Sequence, residues 1–300
     1  LLGSLDDPMM RFDFSRLGLS HLLAISGFHS GLLSCFLYFF LKRLFQEKLA
    51  YVLLFLLLSS YFLLLGSSPS ILRAYLAISF YLIGKFGQWK TAPLNIFGAV
   101  LLIEMLLDPG VISHIGFQLS FIATFAILHL MPTCYALFSK ALPERTFKEK
   151  ELLSFIEKKA YFLCHFLRSS LSLNLAVHLA MIPICLFHFA KFPLISLAYN
   201  LIIPLEVSFL LALFLASIPL VILIPPIGNV CIKSCSFLAQ GLLESIEIVP
   251  SKLCLELEVS PFPIFYVFLF LSFLFALPFL ANRSREDPLC FQDAKNLPLL

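Results

Sequence analysis

The densest polar punctuation in this chain lies in GLSHLLAISGFHSGLL, residues 18–33. There Gly18, His21, Ser26, Gly27, His29, Ser30 and Gly31 stand at or inside the start of an apolar run. Polar groups in such a run are costly unless they face protein or water, and the small residues let backbones approach closely. Two catalytic chemistries fail on spacing. A serine-nucleophile elbow, Gly-x-Ser-x-Gly, needs glycine two positions before the serine, but Ala24 holds that place for Ser26 and Phe28 for Ser30. His21 and His29, eight positions apart, lack a carboxylate in the same stretch, so no metal site is expected. What remains is helix packing at a bundle or pore interior, or a role facing water.

Arg73, in SSPSILRAYLA, is the sharpest single residue, because its charge falls about one turn inside a helix and cannot be removed by deprotonation. Glu104 and Glu206 are the intramembrane carboxylates available to pair with it, and snorkelling to the interface is the competing reading. Gln118 in IGFQLSF, Asn174 and His178 in SLSLNLAVHLA, and Asn200 in LAYNLIIPLE are further polar groups in apolar helices. Each could equally serve as hydrogen-bonding glue between helices.

The elements that must position these residues follow from composition. The 300 residues are 60% hydrophobic and 13% charged, where a soluble globular chain carries roughly 25% charged residues. A water-soluble surface cannot be built from that stock, so the chain reads as all-α, a polytopic bundle of transmembrane helices. A span of ~30 Å of hydrocarbon needs about 20 mostly apolar residues. The candidate runs are Leu19–Leu41, Leu49–Leu65, Pro69–Phe86, Pro93–Leu107, Val111–Leu130, Ser170–Phe189, Leu194–Ile224 and Phe262–Leu280, giving eight or nine passes. The run Leu194–Ile224, interrupted by Pro204 and Pro219, is expected to break into two passes or half-helices. Ser68-Pro69 reads as a helix start and Asp108-Pro109-Gly110 as a stop and turn.

Two stretches, Glu144–Leu163 and Cys231–Val249, are amphipathic and are expected to lie on the membrane surface as connectors. Seven basic residues between Ser139 and Arg168 place that loop in the cytoplasm, together with Lys42-Arg43, Lys85/Lys90 and Arg283/Arg285. The eight cysteines contain no Cys-x-x-Cys pair and are read as buried thiols. A net charge of +3 argues for no polyanion by itself. The first residues lack the pattern of a signal peptide, and the sequence is expected to be an excerpt of a longer protein or a processed product.

The order of HLLAISGFHSGLL (21–33), SSPSILRAYLA (67–77), DPGVISHIGFQLSF (108–121) and HLAMIPICLFHFAKFPLISLAYNLIIPL (178–205) resembles the membrane domain of the ComEC family of DNA-internalisation competence proteins. Phe28 and Ser30 depart from the family's usual aliphatic residues. The resemblance implies a multi-pass channel of the bacterial inner membrane that passes single-stranded DNA into the cytoplasm during natural transformation. On that reading residues 1–17 flank a transmembrane competence domain at 18–281, which includes the cytoplasmic amphipathic loop at about 139–168, and 282–300 form a tail. The DNA path would be lined by His21, Ser26, Gly27, His29, Arg73, Gln118 and Asn200. Partners would be the DNA strand, membrane lipid, other proteins of the uptake machinery and, in a homo-oligomer, further copies of the chain. The family commonly adds an oligonucleotide-binding domain and a metallo-β-lactamase-like domain, neither visible here. No His-x-His-x-Asp-His motif occurs, so no enzyme activity, metal or cofactor is expected. The alternative function is a secondary transporter of small solutes, which broken helices at Pro204 and Pro219 would suit.

Overall fold

Where each helix starts and stops follows from a few residues at its ends. The computed structural model describes residues 8–23, 27–66, 68–141, 154–249, 256–259 and 263–283. The chain forms α1 (Pro8–Arg16), α2 (Ser20–Leu23), α3 (Gly27–Leu44), α4 (Glu47–Leu65), α5 (Pro69–Phe86) and α6 (Pro93–Leu107), then a 3-10 turn (Pro109–Ser113). There follow α7 (Ile115–His129), α8 (Met131–Ala141), α9 (Phe155–Phe189), β1 (Lys191–Pro193), α10 (Ser196–Leu223), α11 (Pro225–Glu247), β2 (Glu256–Glu258) and α12 (Ile264–Arg283). Ser68 and Pro69 do open α5, although the Ser68 hydroxyl makes no capping bond. Asp108 does cap: its carboxylate accepts from the Gly110 N–H at 2.9 Å and turns the chain between α6 and the 3-10 turn. Helix α9 opens on a capping box, in which Ser154 Oγ accepts from the Glu157 N–H while the Ser154 N–H donates to Glu157 Oε2 at 2.8 Å.

The all-α reading holds, with one addition: β1 pairs antiparallel with β2, Phe192 opposite Leu257. By length and composition, fewer than eight or nine spanning helices are found among the described residues. Among the described residues four stretches are long and apolar enough to cross a membrane: Ser20–Leu44, Glu47–Leu65, Phe155–Phe189 and Ser196–Leu223. The α7–α8 pair, bent by 49°, makes a fifth if it is taken as one span. The shortfall has local causes. Helix α6 is only 15 residues long, α5 carries Arg73 and Lys85, and the apolar part of α12, Ile264–Leu280, is shorter than a span. These long apolar helices make the chain a membrane protein.

Further expectations are corrected. Leu194–Ile224 does not break: α10 runs through both Pro204 and Pro219 as a single 28-residue helix. Helix α11 is not a surface connector. A Cβ at Gly228, near its start, would fall on the Val221 backbone at the end of α10, while Ile246, near its end, packs with Ile203 near the start of α10. The two helices therefore lie antiparallel along their length, and β2 then returns the chain to β1. Residues 155–163 are the first turns of α9 rather than a separate surface helix, and 144–153 lie outside the described residues. Arg168, counted from the sequence among the loop's basic residues, is instead 1% exposed within α9, its guanidinium 4.7 Å over the Tyr135 ring. Of the cysteines, Cys134 and Cys235 are buried but Cys35 is exposed on α3.

Four apolar clusters join the helices. Leu54, Leu58 and Leu82 tie α4 to α5, and Leu37 and Leu41 of α3 pack on them. Val100, Phe117 and Phe121 join α6 and α7. Ala126, Cys134, Ala176, Ala180 and Leu274 bring α7, α8, α9 and α12 together through mostly small residues. Phe14, Leu17, Leu19, Ile203, Ile246 and Val249 dock residues 8–19 onto the α10–α11 pair, so the stretch read as a flank is part of a core. Lys42 and Lys85 both act electrostatically on Glu47, which gathers the end of α3, the start of α4 and the end of α5 on one side.

Candidate functional site

Two polar clusters stand out, each at a meeting of helices. The first is built around Arg73, half-buried one turn into α5. Its Nε donates to Ser120 Oγ at 2.6 Å and its Nη1 to Thr124 Oγ1 at 2.8 Å. Ser120 and Thr124 are four residues apart and so share one face of α7. Thr124 donates its own proton to the Ser120 carbonyl at 2.8 Å, which leaves its oxygen's lone pairs for the guanidinium. A Cβ at Gly27 would lie 3.1 Å from Arg73 Nη2, so the glycine at the start of α3 makes room for the cation.

Neither carboxylate named from the sequence as a possible partner of Arg73 makes a contact ion pair with it. Glu206 is exposed on α10. Glu104 is 2% exposed on α6 and its two oxygens have no hydrogen-bond partner. It lies within the electrostatic field of Arg73 without touching it. The guanidinium is thus held by two neutral hydroxyls, with other N–H donors of its fork uncommitted to them. Ser120 and Thr124 were not singled out in the sequence, although their four-residue spacing on an apolar helix was a readable signal.

The second cluster centres on His178, on α9. Its Nδ1 lies 2.8 Å from the Asn174 carbonyl, which can only accept, so Nδ1 carries the proton. Nε2 is then an acceptor, from Ser196 Oγ at 3.1 Å and Asn200 Nδ2 at 3.4 Å, both on α10. Asn174 Nδ2 donates to the Leu197 carbonyl at 2.6 Å, and Phe192 of β1 stands edge-on to the imidazole at 5.9 Å. Gly18, at φ +70°, presses its backbone on Ser196, since a Cβ there would sit 2.6 Å from Ser196 Cβ. That contact brings His21, bonded to the Gly18 backbone, into the electrostatic reach of His178 and His29. Ser196, missed in the sequence, makes a nucleophile–base contact in distance alone. At 2% exposure, and sharing Nε2 with Asn200, it is closed to any substrate and acts as glue.

The remaining candidates are placed apart. Gln118 donates from Nε2 to the Ile112 carbonyl at 2.8 Å and accepts at Oε1 from His188 Nε2 at 2.7 Å, which locks the 3-10 turn to α7 and the end of α9. His29 is half-buried in the first turn of α3, edge-on to Phe28. Ser26 lies outside the described residues. The structure therefore brings Gly27 to Arg73, and His21 and Asn200 to His178, while Gln118 belongs to neither group. Among the described residues no three His, Cys, Asp or Glu side chains gather as a metal site would need.

Comparison with known proteins bears on what these clusters serve. No solved structure matches the chain. It is 30% identical over 190 residues to ComE operon protein 3 of Bacillus subtilis (strain 168), an alignment covering 63% of this chain and 21% of that relative. The chain thus spans only a small part of the curated relative's length. The family model described as Competence protein matches residues 4–284, nearly the whole sequence. With helices long and apolar enough to cross a bilayer and a family match of that extent, the chain belongs to the competence protein family.

Proposed function

We propose that this chain forms the membrane-embedded part of a channel that passes single-stranded DNA through the bacterial inner membrane into the cytoplasm during natural transformation. The observation that carries this reading is the state of Arg73. It is a permanent cation, set between α3, α5 and α7, and steadied by neutral hydroxyls where an ion pair was expected. A guanidinium whose charge is not cancelled by a touching carboxylate attracts a phosphodiester, and its planar fork matches phosphate geometry. Membership of the competence protein family, and the likeness to ComE operon protein 3, support DNA as the passing anion. Helix α10 is continuous through Pro204 and Pro219, which weighs against the small-solute transporter that a break at those prolines would suit. Lipid, other proteins of the uptake machinery and further copies of the chain are the proposed partners. No nuclease step is assigned to this chain.

The experiment is DNA uptake normalised to the amount of protein in the membrane. Loss of a charge-assisted contact, roughly 1.5–3 kcal/mol, lowers uptake by Arg73→Ala about 10- to 100-fold at near-normal abundance. Arg73→Lys recovers part of it, because an ammonium keeps the charge but cannot bridge Ser120 and Thr124 with a rigid fork. Normal uptake by Arg73→Ala at normal abundance removes the arginine from the mechanism.

A further inference from the structure

Glu104 is the unexplained charge of this fold. It is 2% exposed on α6, and neither oxygen has a hydrogen-bond donor. Buried carboxylates in native proteins are nearly always paired, so an orphan one calls for a physical account. Helix α6 packs on α5, the 3-10 turn and α7. The titratable and charged side chains on or beside those elements are Arg73, Tyr75, Tyr81, Lys85, Asp108, His114 and His129. Lys85 lies about three turns beyond Arg73 and acts on Glu47. Tyr75 meets Ser59, Tyr81 stacks under Lys85, Asp108 caps the 3-10 turn and His129 bonds the Phe275 carbonyl. His114 is exposed at the start of α7. The charge that acts on Glu104 is that of Arg73, held off by Ser120 and Thr124.

One cation therefore serves two anions: the buried carboxylate within its field and whatever phosphodiester reaches the guanidinium. An anionic Glu104 offsets part of the Arg73 field and repels an arriving phosphate, whereas a protonated Glu104 does neither. Binding of a proton at Glu104 and of a phosphodiester at Arg73 must then assist each other equally, since coupling between two sites is reciprocal. We propose that Glu104 takes up a proton as a phosphodiester arrives at Arg73 and returns it as the phosphodiester leaves. The proton adds to a carboxylate oxygen from water and is released to water, and no bond in the DNA changes. The carboxylate thereby keeps each phosphate's stay short, because a site on a conducting path must bind weakly enough to release.

This inference rests on the reading that phosphodiesters pass Arg73, and the test separates the two. The full chain, purified in detergent, is titrated with a fluorescein-labelled oligodeoxythymidylate from mildly acid to mildly alkaline pH. The native protein binds more weakly as pH rises, with a limiting slope of about one decade per pH unit for one linked proton. Glu104→Gln, a neutral isostere of the protonated acid, binds tightly and loses that slope, while Arg73→Ala binds weakly at every pH. Mixing native protein with the oligonucleotide in weak buffer draws a proton from solution, a measurement that needs no variant to fold. A flat native profile without proton uptake, or an unchanged slope in Glu104→Gln, overturns the role of Glu104 while Arg73-dependent binding stands. Binding indifferent to Arg73 overturns the functional reading as well.

Discussion

Replacing Gly18 by alanine should loosen the junction where α1–α2 meets α10, and the size of the effect can be worked from the geometry. The residue sits at φ +70°, and a Cβ would stand 2.6 Å from Ser196 Cβ and 3.0 Å from Pro193 Cγ. Placing a non-glycine residue in the left-handed region costs about 1–2 kcal/mol, and the overpacking adds roughly 1–3 kcal/mol. The total is about 2–5 kcal/mol, a large fraction of the stability of a typical domain. The two parts are separable. Ser196→Gly removes the nearer clash but neither the Pro193 contact nor the backbone strain, so the double variant should recover part of that roughly 1–3 kcal/mol relative to the sum of the single variants. Thermal unfolding in detergent, followed by exposure of the buried thiols of Cys134 and Cys235 to a reactive dye, reads both. An unchanged midpoint in Gly18→Ala, or strict additivity with Ser196→Gly, would refute the close approach.

Other expectations follow from different parts of the fold. The loop around Lys148–Lys159 should be cytoplasmic, so Lys150→Cys on a background without reactive thiols resists an impermeant label in intact cells; labelling without lysis reverses the orientation. Gly228→Val should abolish folded protein in the membrane, since its Cβ meets rigid Val221 backbone at the α10–α11 corner, and normal abundance would contradict the antiparallel pairing. The chain purified alone should leave DNA intact in the presence of divalent metal; cleavage that survives stringent purification and changes with mutations in this chain would assign it a nuclease step.

Much of the helical layout was legible because hydrophobic blocks and their stops are local signals. Pro69–Phe86 and Pro93–Leu107 appear in the structure with those bounds. What failed depended on contacts between distant segments. Prolines 204 and 219 read as breaks, yet α10 runs through both. The amphipathic pattern of α11 was real, but only its packing against α10 decides that it runs beside that helix rather than along a surface. At the candidate site, Arg73 was conspicuous as a charge in an apolar run. Its partners on α7 lie 47 and 51 residues away, beyond any spacing rule. Likewise His178 and Asn200 announced themselves as polar groups, but the serine that completes their network, Ser196, looks ordinary in sequence.

The most direct test of the proposed path is to catch DNA beside Arg73. Gly31 lies one turn beyond Gly27 on the same face of α3, with open space where a side chain would project. Leu64, 81% exposed on α4, provides an outward-facing control. A photo-crosslinking amino acid is placed at each position in cells taking up labelled DNA. Adducts to single-stranded DNA are expected at position 31 and none at position 64. Equal adducts at both, or none at position 31 while uptake continues, would contradict the proposed path.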